Sequence, residues 1–386
     1  MVYFNYGSLG IPDKEALKDV EDFLAQLPLR ILESQGDYTL EMVSMAEQTR
    51  KQIADIYNVS ADNIAFISNT TEGLGILASA LRNSEIDIQV AVPDIEFISS
   101  ALVWKNDSDR INFCQTKNGI VSVEAVSNLL KKDCNILCMS SVQEVSGYRF
   151  SFQDLLELRD KGTNEYWIID GIQEAGIFMR GLEAEKIDAY IVGGHKLLNS
   201  PFGLGFMYIS DRLLEHIRPT YYGYFNLNEP VDGWVHYLES RSRKLVDLKN
   251  MSTRKSASIF ESGGMVNAFG ALMLGKSITN WQEFGVENAS QHIMQLQKLF
   301  RSKLQLTEGF EILGGKNPDT WSSILTLTNI NGIEKERQLY NMLSANGMKV
   351  SLRSIEGIGG IRIGFHYRTT EEEVKQLIRV INEFCW

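Results

Sequence analysis

Between about residues 60 and 210 the chain alternates short, continuous apolar runs with stretches of helix length. Strands are expected at 64–68, 88–92, 135–139, 166–169 and 189–192. Apolar runs of this length, without polar alternation, suit strands buried on both faces, as in a parallel sheet whose crossovers are helices. A ligand of such a sheet sits beyond the carboxyl ends of the strands, and the polar residues of most interest fall there. The last third reads differently. Residues 283–304 predict a long amphipathic helix, and 322–328 and 360–365 predict strands. Thr370 followed by Glu373 forms a capping box ahead of Val374, Leu377, Ile378 and Ile381, which repeat at helical spacing. The expected fold class is therefore α/β, with a smaller α+β domain packed on a larger one. The division expected is 15–245 for the large domain, with 1–14 and 246–386 forming the small one.

A length of 386 residues agrees with two subdomains rather than one simple core. Hydrophobic residues at 44% and charged residues at 23% are ordinary for a soluble globular protein. No apolar run approaches the roughly 20 residues of a membrane span, and the N-terminus lacks a signal pattern. The net charge of −11 argues against a nucleic-acid surface, which needs clustered Lys and Arg. Cys114, Cys134, Cys138 and Cys385 have spacings that fit neither a metal site nor a disulfide framework, so a reducing cytoplasm is the expected setting.

Three segments carry candidate chemistry. In Tyr166-Trp-Ile-Ile-Asp170-Gly-Ile-Gln173 a carboxylate ends a buried strand. That is costly unless a cationic or proton-donating group meets it. A pyridinium nitrogen would serve, because an ionised Asp keeps it protonated and the ring then accepts electrons from a carbanion. Gln173 could donate its amide to a phenolic oxygen of the same ring. The plainer alternative is that Asp170 caps the following segment. In Gly193-Gly-His195-Lys196 a lysine stands just past an apolar strand, where an ammonium is rare without a purpose. Burial would favour the neutral amine that forms a Schiff base. Gly203 and Gly205 follow, and would let backbone pass close to a flat ligand. In Ser68-Asn-Thr70-Thr71-Glu72-Gly73 a strand runs into a helix, a ready phosphate cradle or a plain N-cap formed by Thr70.

Together these segments resemble the class V aminotransferase family of fold type I pyridoxal-phosphate enzymes, which includes cysteine desulfurases and cystine C–S lyases. They match its threonine-pair phosphate turn, its Asp-x-x-Gln strand and its Gly-His-Lys loop, in order and spacing. The opening Tyr3-Phe-Asn-Tyr-Gly-Ser-Leu-Gly-Ile and the late Gly360-Ile-Arg362-Ile-Gly-Phe-His-Tyr-Arg extend the likeness over nearly the whole chain. The resemblance implies pyridoxal 5'-phosphate as cofactor, with Lys196, Asp170 and His195 catalytic. It implies cofactor contacts from Thr70, Thr71, Phe97, Gln173, His195 and Gly264, with Phe97 stacked on the ring. Arg362 would clamp the substrate α-carboxylate bidentately. Asn5 would join it, and Arg353 either assists or is a solvated strand residue. Phe260-Glu-Ser-Gly-Gly264 resembles the loop that reaches the neighbouring subunit's cofactor, which implies a homodimer.

Two positions depart from the family by losing a hydroxyl, Gly193 and Gly264. A third, Glu144, puts an acid where many relatives have a neutral polar residue. It could select a cationic substrate, act as an acid or base, or be solvated at the sheet's edge. The resemblance implies reaction through an external aldimine and α-proton removal. Residues 330–369 contain no cysteine, which disfavours a desulfurase. β-Elimination of the C–S lyase type is the expectation, with Phe4-Asn-Tyr-Gly, Arg218-Pro-Thr-Tyr-Tyr-Gly223 and Leu352-Arg353-Ser-Ile resembling that branch. Transamination and racemisation or epimerisation are the alternatives. A non-catalytic sensor would need an effector module for which the two domains leave no room.

Overall fold

The computed structural model describes residues 1–84, 86–132, 134–156, 165–229, 251–305 and 309–384. The chain opens on a short strand, β1 (Val2–Tyr3), and then forms two long helices, α1 (Lys14–Glu33) and α2 (Gln35–Tyr57). Each start is fixed by a side chain that takes a first-turn N–H. Asp13 accepts from Glu15 and Ala16, and Ser34 accepts from Asp37.

Beyond them lies a sheet of seven described strands: β2 (Ile64–Ile67), β3 (Val90–Pro93), β4 (Ile111–Cys114), β5 (Ile136–Ser140), β6 (Tyr166–Asp170), β7 (Ala189–Gly193) and β8 (Gly205–Ile209). Their order is β2-β8-β7-β6-β5-β3-β4. The run from β4 to β7 is parallel throughout, and β8 lies antiparallel between β7 and β2. Every residue of β2, β3, β5, β6, β7 and β8 is buried, which is why these segments read as unbroken apolar runs. All five expected strands are present, with ends shifted by one or two residues. β4 escaped the pattern because it is an edge strand, with Asn112 in it and Phe113 exposed.

The C-terminal region begins with helices Ala268–Phe284 and Val286–Lys303. Residues 283–304 are therefore not one helix. Gly285, at φ +92°, ends the first helix and starts the second. A four-stranded antiparallel sheet follows, built from β9 (Phe310–Ile312), β10 (Ile324–Asn329), β12 (Ser351–Ile355) and β13 (Ile358–Gly364) in the order β12-β13-β10-β9. The remaining strand, β11 (Met348–Lys349), pairs in parallel with β1, and Asn5 bridges to Gly364. The N-terminal segment is thereby tied to the C-terminal region. Thr370 and Glu373 exchange the two expected capping-box bonds, and Val374, Leu377, Ile378 and Ile381 are buried. The expected domain boundary at 245 lies outside the described residues. No described helix is long and apolar enough to cross a membrane.

Candidate active site

Three strand ends converge. β6 ends at Asp170, β7 ends at Gly193 just before His195 and Lys196, and β2 runs through Ser68 into helix α3 (Thr70–Asn83). They surround a cavity of about 320 Å³ lined by Asn69, Thr70, Thr71, Phe97, Ser99, Ser140, Glu144, Asp170, Ile172, Gln173, His195, Lys196 and Phe202. Eight of the residues singled out from the sequence are thus brought together where an α/β sheet binds its ligand.

The cap of α3 is Asn69, whose Oδ1 accepts from the N–H of Glu72 at 3.0 Å, not Thr70. Thr70 is the first helical residue, and its hydroxyl is buried with no hydrogen-bond partner. Thr71 Oγ shares a 2.7 Å hydrogen bond with Ser99. Gly193 has a steric reason. A Cβ there would lie 2.9 Å from Ile172, 3.1 Å from the His195 ring and 3.2 Å from Thr70 Oγ, leaving little space for a hydroxyl-bearing side chain.

Asp170 is buried and forms no ion pair among the described residues, although the Ile172 N–H donates to it at 2.9 Å. Burial pushes its carboxyl up to about 6, against the pull of that N–H and of Lys196, while Glu144 adds to the rise. Burial likewise pushes the Lys196 ammonium down to about 8, with Glu144 and Asp170 opposing and Arg362 and Arg353 contributing. His195 is pushed down to about 4 by burial and then by Lys196, so it is neutral near pH 7. Its Nδ1 is buried without a partner, and its ring packs on Phe202 with centroids 4.9 Å apart.

Gln173 lines the cavity and is also tied to the N-terminal segment. Its Nε2 donates to the Gly7 carbonyl at 2.9 Å, and the atom left without a partner is the acceptor Oε1. Nε2 has a second N–H, which the bond to Gly7 leaves for another acceptor.

The lysine loop is held from both termini. The Gly10 N–H donates to the His195 carbonyl at 2.8 Å, and a side chain at Gly10 would collide with the Lys196 carbonyl. His366, pushed down to about 3 by burial, meets the Leu197 carbonyl through Nε2 at 2.9 Å and accepts from the Arg368 N–H through Nδ1.

Arg362 is fully buried. Its Nη2 donates to Ser8 Oγ at 2.6 Å and its Nε to Ser351 Oγ at 3.3 Å. Its Nη1 meets both the carbonyl and Oε2 of Glu144 at 3.2 Å. Glu144 is therefore paired inside the cavity and not solvated at the sheet's edge. Arg353 is exposed on β12 and does not line the cavity. Asn5 is half-buried and also outside the lining, with Oδ1 unpartnered. Gly264 is exposed and away from this chain's cavity.

Glu96 was not foreseen. It accepts from the Ser140 N–H at 2.8 Å, Ser140 Oγ at 2.5 Å and Gln143 Nε2 at 2.6 Å, bracing the end of β5 next to Phe97. Its position beside Phe97 was the only signal. Ser8 lay inside the opening motif, and Ser351 had no signal at all.

The family model for class V aminotransferases matches residues 3–377. The chain belongs to the class V aminotransferase family. It is accordingly an enzyme of the fold type I scaffold, with pyridoxal phosphate as cofactor. A probable cysteine desulfurase of Methanothermobacter thermautotrophicus is 24% identical over 373 residues, covering 91% of this chain and 86% of its own. A cysteine desulfurase of Escherichia coli O8 is 20% identical, covering 76% and 73%. Among solved structures, the apo cysteine desulfurase of Thermococcus onnurineus superposes with a TM-score of 0.82 at 17% identity, over 100% of this chain and 94% of that one. The cystine C–S lyase C-DES, in complex with its product cysteine persulfide, superposes with 0.81 at 20% identity, over 98% and 97%.

The cavity fits that cofactor on its own chemistry. Among the described residues, buried Thr70 Oγ, His195 Nδ1 and Gln173 Oε1 have no hydrogen-bond partner and Asp170 has no ion-pair partner, and Phe97 is 44% exposed. Unsatisfied buried polar groups of this kind call for a polar ligand. A flat ring with a cationic nitrogen at one side and a phosphate at the helix N-terminus would satisfy Asp170, Thr70 and His195, and would cover Phe97.

Proposed function

We propose that the protein is a C–S lyase that takes an α-amino acid with a sulfur leaving group on Cβ. The observation that carries this reading is a cavity lined by Lys196, Asp170 and Glu144, the last paired with Arg362, with no thiol among its lining residues. The described cysteines, Cys114, Cys134 and Cys138, are buried in the hydrophobic core. Acceptance of sulfur by a protein thiol, as a desulfurase requires, therefore has no described candidate. The names of the relatives support removal of sulfur from an amino acid as the shared chemistry.

When bound, pyridoxal phosphate supplies an electron sink for charge developing at Cα. Asp170 keeps a proton on the ring nitrogen. Thr70, His195 and the N-terminus of α3 would hold the phosphate, and Phe97 would lie against the ring. Arg362 orients the substrate carboxylate, and the neutral Lys196 amine removes the α-proton. The Cβ–S bond then breaks with its electron pair on sulfur. With one water consumed, an S-substituted cysteine yields a thiol, a three-carbon keto acid and ammonium.

Incubating the holoenzyme with S-substituted cysteines and no second substrate is expected to release thiol, keto acid and ammonia in equal amounts. Stalling after one turnover, with rescue by an added keto acid, would make it an aminotransferase instead.

The reading extends to a homodimer in which the loop Ser262–Met265 serves the other subunit's cavity. In support, Gly264 is exposed, and exposed Tyr221 and Met265 line the same surface hollow with it. Sedimentation is expected to give a dimer, and an active monomer would refute the arrangement.

A further inference from the structure

Each nitrogen of the Arg362 guanidinium donates within the chain, and one acceptor is itself a carboxylate. Glu144 Oε2 lies 3.2 Å from Nη1, with its side chain only 14% exposed. A carboxylate arriving from solution would find this arginine already neutralised. Glu144 also lines the cavity with Lys196, and it is the strongest charge acting on the Lys196 ammonium, ahead of Asp170, Arg362 and Arg353. The charged groups around Glu144 thus come from β13 (Arg362), from the loop after β7 (Lys196) and from the end of β6 (Asp170).

We infer that Glu144 is a built-in counter-ion that a zwitterionic α-amino acid displaces from Arg362, the substrate carboxylate taking the arginine while Glu144 turns to the incoming ammonium. This rests on Arg362 being the carboxylate-binding group. Two carboxylates on one buried guanidinium repel each other, and a displaced Glu144 without a cation is a poorly solvated charge. An α-amino acid brings that cation with it. A simple monocarboxylate does not, so it binds at the cost of leaving Glu144 unpaired. A simple amine has no need to displace anything. Glu144 thereby selects for the complete amino-acid headgroup, through a charge exchange that leaves no group in the cavity unpaired.

The test measures calorimetric binding of propionate, alanine and ethylamine to the holoenzyme and to Glu144→Gln. Glu144→Asn serves as a second neutral variant, and retention of cofactor absorbance confirms an intact site. Propionate is expected to bind about tenfold more tightly or better in both variants, the scale of releasing a competing, partly buried charge partner. Alanine should change by less than about threefold, because the gain at Arg362 is offset by the lost partner for its ammonium. Ethylamine should not tighten. Unchanged or weaker propionate binding overturns the inference, and so does an equal gain for alanine and propionate. Arg362→Gln separates the two levels. If it weakens propionate and alanine while the Glu144 variants fail to tighten propionate, Arg362 keeps its role and the exchange is wrong. If it leaves both ligands unaffected, the assignment of Arg362 itself fails.

Discussion

Replacing Lys196 with alanine is expected to lower kcat/KM by on the order of 10⁴-fold and to abolish covalent capture of pyridoxal phosphate. The side chain lies just past the carboxyl end of β7, in the cavity it shares with Asp170, and no other described lysine lines that cavity. The same measurement carries a pH signature in the parent protein. Only the neutral amine attacks an aldehyde, and burial has pushed the Lys196 ammonium down to about 8. Capture by apo-protein should therefore accelerate as pH rises towards about 8 and level off above it. Stopped-flow absorbance on mixing apo-protein with the cofactor reads both effects. Capture by Lys196→Ala with an unchanged rate and pH profile would place the reactive lysine elsewhere.

Asp170→Asn is expected to retain the cofactor and to slow removal of the α-proton by about 10²–10³-fold, the scale of losing one preorganised charge contact to the reacting system. The carboxylate is buried, lacks an ion pair among the described residues, and ends β6 directly at the cavity. Asparagine has the same shape but no charge to keep a ring nitrogen protonated. Exchange of the substrate α-deuterium for solvent hydrogen, followed by NMR, measures that step without depending on the later fate of the substrate. Equal exchange rates in variant and parent would remove Asp170 from this role.

Much of the site was legible in the chain. Buried strands of a parallel sheet have to be apolar throughout, so their runs stand out, and the first polar residue past each run marks a carboxyl end. That logic located Asp170, Lys196 and the turn into α3, all of which line one cavity. The capping box at Thr370 and Glu373 was equally plain, because both partners lie within one helical turn. Local competition was less legible. Asn69 and Thr70 are both good caps, and it is Asn69 whose side chain reaches the Glu72 N–H. The break at Gly285 was lost inside a periodic stretch, since periodicity continues across two helices that both pack inward.

By itself, then, the sequence determined five strands of the large sheet, the order of the chemical groups along them and the family to which they belong, because each depends on spacing within a segment. The tertiary structure decided which groups meet. Gln173 gives its amide nitrogen to Gly7, and Arg362 gathers Ser8, Ser351 and Glu144 around one guanidinium. Those partners come from the N-terminal segment, from β12 and from the loop after β5. Their meeting depends on the pairing of β1 with β11, the bridge from Asn5 to Gly364 and the register that sets Ser351 opposite Arg362. Register between distant segments is set by packing over the whole fold and leaves no period in either segment alone, so the sequence left Glu144 open between a substrate-selecting acid, an acid or base and a solvated residue until the fold set it against Arg362.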